Sequence, residues 1–133
     1  MRKYYLFSLK EDIYKYYYNK PSKLYKVIND LYNNSLFSAT LLFQLLNNYE
    51  DISIYFDKCC YKKCGRMYLL KNKKEKTVIN FKKSVIIITT TKDIPDIFII
   101  LNKLLKNIFI IDFENKDYFY LNNIKEVYEI YRK

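Results

Sequence analysis

Hydrophobic and polar positions along the chain switch between a period of two and a period near 3.6, and the switches mark out its elements. Residues 3–9, Lys-Tyr-Tyr-Leu-Phe-Ser-Leu, are aromatic-rich and predict a buried strand. Lys10-Glu11-Asp12 ends it and opens a short helix capped by Asp12, which Asn19-Lys20-Pro21 breaks just after Tyr18. Ser22 is expected to cap a helix over 22–33, where Leu24, Val27, Ile28 and Leu31 recur at helical spacing. After a turn at Asn33-Asn34-Ser35, a strongly apolar helix is predicted over 36–47 through Phe37, Leu41, Leu42, Leu45 and Leu46. Residues 51–63 fit a helix through Ile52, Tyr55, Phe56 and Cys59, although Ile52–Phe56 also fits a strand; the helix is preferred.

The second half reads more sharply. Segments 66–71 and 76–82 flank Asn72-Lys73-Lys74-Glu75 and predict a hairpin. Val85–Thr90 is a β-branched strand. Asp93 should cap a helix over 94–106, with Pro95 in its first turn and Ile97, Ile100, Leu101 and Leu104 facing inward. Ile108–Phe113 predicts a second buried strand and Tyr118–Leu121 a short extended one. The charged tail from Ile124 is either a last helix or a frayed end. Strands at both ends with helices between them predict an α/β, mixed α+β domain whose mixed β-sheet is flanked by helices. With 133 residues, no repeat and no linker, residues 1–133 are expected to form that one domain.

Composition changes this picture in three ways. Lys, Asn, Ile and Tyr crowd the chain, whereas Ala39 and Gly65 are the only residues of their types. All four abundant residues use A/T-rich codons, so the source is expected to be a low-GC bacterium or an A/T-rich parasite. The same bias favours Lys, which weakens the net charge of +10 as a sign of nucleic-acid binding. There is no histidine, which removes His-based nucleophilic and acid–base catalysis, and a single Gly leaves no phosphate-cradling loop. No catalytic residue, cofactor or small-molecule substrate is expected. No apolar run reaches the roughly 18 residues of a membrane span. The apolar stretch Tyr4–Leu9 is too short for a signal-peptide core, so a cytoplasmic protein with no membrane partner is expected.

Several clusters carry candidate chemistry. Cys59, Cys60 and Cys64 lack a fourth ligand for structural zinc, so reduced thiols are expected and no metal. Residues 62–83 hold nine Lys or Arg against one acid, Glu75. They form either a phosphate-binding surface with Tyr61 and Tyr68 for stacking, or a solvated hairpin whose lysines protect an edge strand. Tyr14, Tyr16, Tyr17 and Tyr18 crowd a helix too short to bury them all, and Ile13 and Tyr17 stand one turn apart on a shared face. They are either anchors of a protein interface or tyrosines standing in for Phe and Leu. Asp112 interrupts the apolar run of residues 108–111 and must find a hydrogen-bond or cationic partner; a structural role is expected.

Two segments at opposite ends of the chain resemble one family. The opening Arg2-Lys3-Tyr4-Tyr5-Leu6-Phe7-Ser8-Leu9-Lys10-Glu11 is similar to the R-x-Y-Y-x-[YF]-x-[IL]-K-E start of the sporulation inhibitor of replication (SirA) family. The closing Asp112-Phe113-Glu114-Asn115-Lys116-Asp117-Tyr118-Phe119-Tyr120-Leu121-Asn122 is similar to that family's D-F-x-x-x-x-Y-x-W-L-N signature, with Tyr120 in place of Trp. The resemblance implies a non-enzymatic α/β protein of spore-forming, low-GC Gram-positive bacteria. Its implied partner is the N-terminal domain of the replication initiator DnaA, and its implied effect is to hold back chromosome replication during sporulation. The family's binding face lies on the first helix, which places a family Phe at Ile13 and a family Tyr at Tyr17, beside Tyr14. A family Gln on a later helix corresponds to Gln44. The alternative is a nucleic-acid-binding domain that uses the basic hairpin.

Overall fold

A computed structural model describes residues 1–33, 45–47, 61–65, 67–82 and 85–132. The elements run β1 (Arg2–Ser8), α1 (Glu11–Tyr17), α2 (Pro21–Asn33), β2 (Lys62–Cys64), β3 (Met67–Lys71), β4 (Lys76–Phe81) and β5 (Val85–Thr90). They continue through α3 (Ile97–Leu104), β6 (Ile108–Asp112), β7 (Asp117–Tyr120), a 3₁₀ turn (Leu121–Asn123) and α4 (Ile124–Arg132). The strands form one sheet in the order β2-β3-β4-β5-β1-β6-β7. The expected α+β class holds, but every pairing is antiparallel where a mixed sheet was expected. A helical connection such as α3 usually joins parallel neighbours. Here β5 and β6 do run parallel to each other, but β1 lies between them and opposes both.

That position explains the aromatic character of residues 3–9. On one edge of β1, Arg2–Phe7 pairs with Thr90–Val85; on the other, Tyr5–Ser8 pairs with Ile111–Ile108. Tyr4 and Leu6 point to one face, where Ile86, Ile88, Ile108, Ile110, Phe98 and Leu101 pack with Leu121 and Ile124. Phe7 and Leu9 point to the other, with Val85, Ile87, Phe109 and Ile111 against Leu24 and Ile28 of α2. A strand buried on both faces reads as a continuous apolar run rather than an alternation. Helices α1 and α2 therefore lie on one side of the central strands, α3 and α4 on the other. No helix among the described residues is long and apolar enough to cross a membrane.

Several boundaries differ from the sequence expectation. Asp12 sits inside the first turn of α1 rather than capping it; Lys10 holds the cap position without a side-chain bond. Helix α2 starts at Pro21, whose fixed φ and missing N–H suit a first helical position, so Ser22 lies within the helix. Helix α3 starts later than Asp93, with Asp96 in the cap position, because the residue before Pro95 is biased away from helical backbone. Its buried face is Ile97, Phe98 and Leu101, while Ile100 is exposed. The predicted helix over 36–47 lies outside the described residues except at its end, where Leu46 forms a β-bridge to Leu9 and is buried. Of the segment 51–63, residues 51–60 lie outside the described set, and Lys62 and Lys63 belong to strand β2, paired to Leu69 and Tyr68. The predicted hairpin is present, and Asn72 Oδ1 shapes its turn by accepting the N–H groups of Lys74 (2.8 Å) and Glu75 (2.9 Å). The charged tail forms α4.

Asp112 has the structural partners its burial demands. Its carboxylate, 1% exposed, takes a salt bridge from Arg2 Nη2 at 3.0 Å. Arg2 Nε donates to it at 3.1 Å, Asn115 Nδ2 at 2.7 Å and Asn115 N at 3.2 Å. Burial pushes the carboxyl upward, but the Asn115 donors and Arg2 outweigh it and hold Asp112 below the usual range. Arg2 also reaches Asp117 Oδ2 at 3.3 Å, so one guanidinium ties the first strand to both strands of the closing hairpin. Removing the carboxylate as Asp112→Ala takes from Arg2 its buried partner, leaving it Asp117, and takes the acceptor from two Asn115 donors. We expect a loss of about 3 kcal/mol in urea denaturation. Because the folded pKa is depressed, this contribution is complete above the unfolded value of about 3.9 and vanishes as pH falls through the folded value. Asp112→Asn should therefore flatten the acid limb of the stability curve below about pH 4, and an unchanged limb would remove Asp112 from the account.

Candidate partner-binding face

Helix α1 has seven residues, none of them buried, and isolated helices of that length do not persist in water. It is held from outside. At its start Leu9 N donates to Asn107 O at 2.9 Å and Lys10 N to Leu45 O at 2.9 Å. Glu11 and Asp12 in the first turn and Lys15 in the last suit the helix dipole. The exposed Lys15–Glu11 pair at 3.4 Å adds little. At the other end, the carbonyl of Tyr17 accepts both Lys20 N (2.8 Å) and the hydroxyl of Tyr120 (2.7 Å). Those bonds meet part of the acceptor deficit of a helix C-terminus.

Tyr120 is the pivot of this contact. It is buried, 3% exposed, and its ring meets Tyr14 edge-on at 5.4 Å, Tyr18 at 5.4 Å and Phe109 at 4.9 Å. Burial, and then the neighbouring Tyr14 and Tyr18, raise its phenol above the ordinary value, so it stays protonated and keeps donating to Tyr17 O. Tyr14 is raised by burial and Tyr18, against the pull of Asn122, whose Nδ2 donates to its hydroxyl at 3.0 Å. The opening and closing segments thus meet twice. Arg2 joins Asp112 and Asp117, and Tyr120 and Asn122 hold α1.

The structure brings three of the four expected site residues together. Ile13, Tyr14 and Tyr17 are all half-buried against the cluster containing Phe7, Phe109 and Tyr120, and they share the inner side of α1. Gln44 lies outside the described residues. The aromatic side chains most available on this segment are Tyr16, 62% exposed, and Tyr18, 39% exposed. Tyr16 packs edge-on to Tyr17 at 4.8 Å and carries the Lys20 ammonium over its ring at 4.1 Å. Both belong to the tyrosine run that the sequence marks as candidate interface anchors, but neither is among the four expected contact residues, and the helical period places Tyr16 outside the arc shared by Ile13, Tyr14 and Tyr17.

The other candidates divide. Cys64 is exposed and free, while Cys59 and Cys60 lie outside the described residues. No group of three or more potential metal ligands occurs among the described residues. Tyr68, which the nucleic-acid alternative would use for stacking, is 2% exposed and packed in the core, and Tyr61 is half-buried against the same cluster. Their burial follows from the register, which turns Tyr68 to the face of Ile79 and Ile88.

Tyr120→Phe keeps the ring and deletes only the donor to Tyr17 O. It should cost about 1 kcal/mol in chemical denaturation and speed amide exchange in α1 selectively. Exchange rates in α1 equal to those of the parent would show that the hydroxyl does not hold the helix.

Comparison with protein-family models returns no match to this chain, and comparison with curated proteins returns none either.

Proposed function

We propose that the protein is a non-enzymatic inhibitor of replication initiation that binds the N-terminal domain of the initiator DnaA through α1 and blocks its assembly at the origin. The observation that carries this reading is the way the two motif-bearing ends converge on α1. The closing segment's Tyr120 and Asn122 brace the helix that the opening segment leads into. A short helix fixed in this way presents aromatic side chains with little conformational freedom left to lose on binding. Tyr16 and Tyr18 form the exposed part of the surface, and Ile13, Tyr14 and Tyr17 its half-buried base. Tyrosines at the centre of an interface are frequent hot spots, combining apolar area with a hydroxyl at the rim. Inhibition would then act by occupancy in the cytoplasm of a sporulating low-GC bacterium, with no covalent step.

Calorimetric titration into the DnaA N-terminal domain tests this directly. We expect saturable one-to-one binding that persists at high salt, since the face is aromatic rather than ionic. Tyr17→Ala should weaken the complex by about 2 kcal/mol or more. Because Tyr17 also packs on the core, Tyr16→Ser serves as the companion variant: it is exposed, gives up only its contacts to Tyr17 and Lys20, and should weaken binding with a much smaller shift of the thermal midpoint than Tyr17→Ala. Full affinity in both variants would remove α1 from the interface, and absence of any binding would end the DnaA assignment.

A further inference from the structure

Strand register sorts the lysines of the hairpin half of the sheet by face. Directly paired residues share a face, so Lys62, Leu69, Val78, Thr89 and Lys3 form one row across β2, β3, β4, β5 and β1. Two residues further along the same face, Lys71 opposes Lys76. The neighbouring row on the other side is Cys64, Met67, Asn80, Ile87 and Tyr5. Four lysines therefore stand on one side of five adjacent strands, and no carboxylate occurs among the described residues of those strands on that side. Lys62, Lys71 and Lys76 are exposed, and Leu69, Val78 and Thr89 between them are only half-buried.

Several acids of the described residues lie elsewhere. Glu75 is buried and accepts the hydroxyl of Thr77, which belongs to the row of Leu70 and Thr90 on the opposite face. Asp96 takes Lys92 at 2.8 Å and Tyr128 at 3.0 Å beside α3, and Asp112 and Asp117 take Arg2. Lys71 and Lys76 are directly opposed like charges, an arrangement that destabilises an antiparallel pair. Lys62 and Lys3 are four strand spacings apart, so the charged surface extends on the order of 20 Å. Among the described residues of these strands no exposed aromatic lies on this face: Tyr68 is turned into the core, and the half-buried Tyr5, with the Lys3 ammonium over its ring at 5.4 Å, packs against Tyr32 and Phe113.

We infer that this face, formed by Lys3, Lys62, Lys71 and Lys76, docks the phosphate backbone of a nucleic acid. A polyanion neutralises the opposed lysines and gains the free energy of released counterions. With no exposed ring among the described residues of this face to stack on bases, the contact reads charge and not sequence. This inference stands apart from the helix α1 reading and uses none of its residues.

The test is fluorescence anisotropy of a labelled 20-base-pair duplex with the full chain at 50 and 200 mM salt. With four phosphate contacts, affinity should fall roughly 100-fold across that range. Lys62→Gln, Lys71→Gln and Lys76→Gln combined should cut the salt slope to about a quarter. A control combining Lys23→Gln, Lys26→Gln and Lys125→Gln removes equal charge at exposed helix positions and should keep most of the parent's slope. Thermal denaturation checks that both triples fold. Equal loss in the two triples would assign the affinity to net charge and overturn the site. So would the absence of DNA binding at 50 mM salt, or binding of a polyglutamate peptide in its place. DnaA binding unaltered in the first triple would confirm that the two surfaces are independent.

Discussion

The domain depends on placing its first strand in the middle of its sheet. Strand β1 has two hydrogen-bonding edges, and both are met by segments far along the chain, β5 on one side and β6 on the other. An unpaired backbone edge buried beneath helices would be prohibitive, so β1 is stable only when both partners are in place. Its side chains obey the same requirement on both faces, with Tyr4 and Leu6 serving the α3–α4 side and Phe7 and Leu9 the α1–α2 side. Tyr4 even places its hydroxyl on the Asp93 carbonyl, linking the central strand to the approach of α3. The chain must therefore close a loop of about eighty residues before its core exists, which raises contact order and favours slow folding.

Given that core, the two ends of the chain have structural work that explains much of their composition. Arg2 is fixed by Asp112 and Asp117, and Asp112 in turn shapes the β6–β7 turn through Asn115. Tyr120 fills the space between Phe109 and α1 while its hydroxyl serves Tyr17. A buried polar residue must be satisfied wherever it occurs, so residues of this kind arrive in sets. The charged and aromatic positions in the opening and closing segments are of that kind, and they bring α1 to the surface in a defined orientation.

The legibility of the sequence followed the same physics. The hairpin around Asn72, the strand Val85–Thr90 and the buried strand ending at Asp112 were readable because local turn chemistry and β-branched runs agreed with tertiary pairing. Asp112 was legible because a carboxylate in an apolar run has few solutions. Helix starts were misjudged where proline decides: Pro21 occupies the first helical turn ahead of Ser22, and Pro95 delays α3 beyond Asp93. Uniform antiparallel pairing was invisible because it depends on where β1 inserts, a fact no local window contains. On α1, spacing identified the shared arc of Ile13, Tyr14 and Tyr17 but not its direction. Only the position of Tyr120 shows that this arc faces inward and that Tyr16 is left outside.

One consequence of strand parity joins these features. The side of the sheet carrying α3 and α4 holds the ion pairs of Arg2 with Asp112 and Asp117 and of Lys92 with Asp96, and the hydrogen bond from Thr77 to Glu75. The side carrying α1 and α2 holds Tyr16 and Tyr18 over one half, and Lys3, Lys62, Lys71 and Lys76 over the other. Charge that is satisfied internally has little left to offer a partner, whereas exposed aromatics and lysines opposed only by like charge remain available to one. A slip of one residue in the β3–β4 register would send Lys71 to the opposite face, toward Glu75 and Thr77, and bring Tyr68 out of the core. The buried packing of Tyr68 and Ile79 that forbids this slip thus also keeps the lysines on the side of α1.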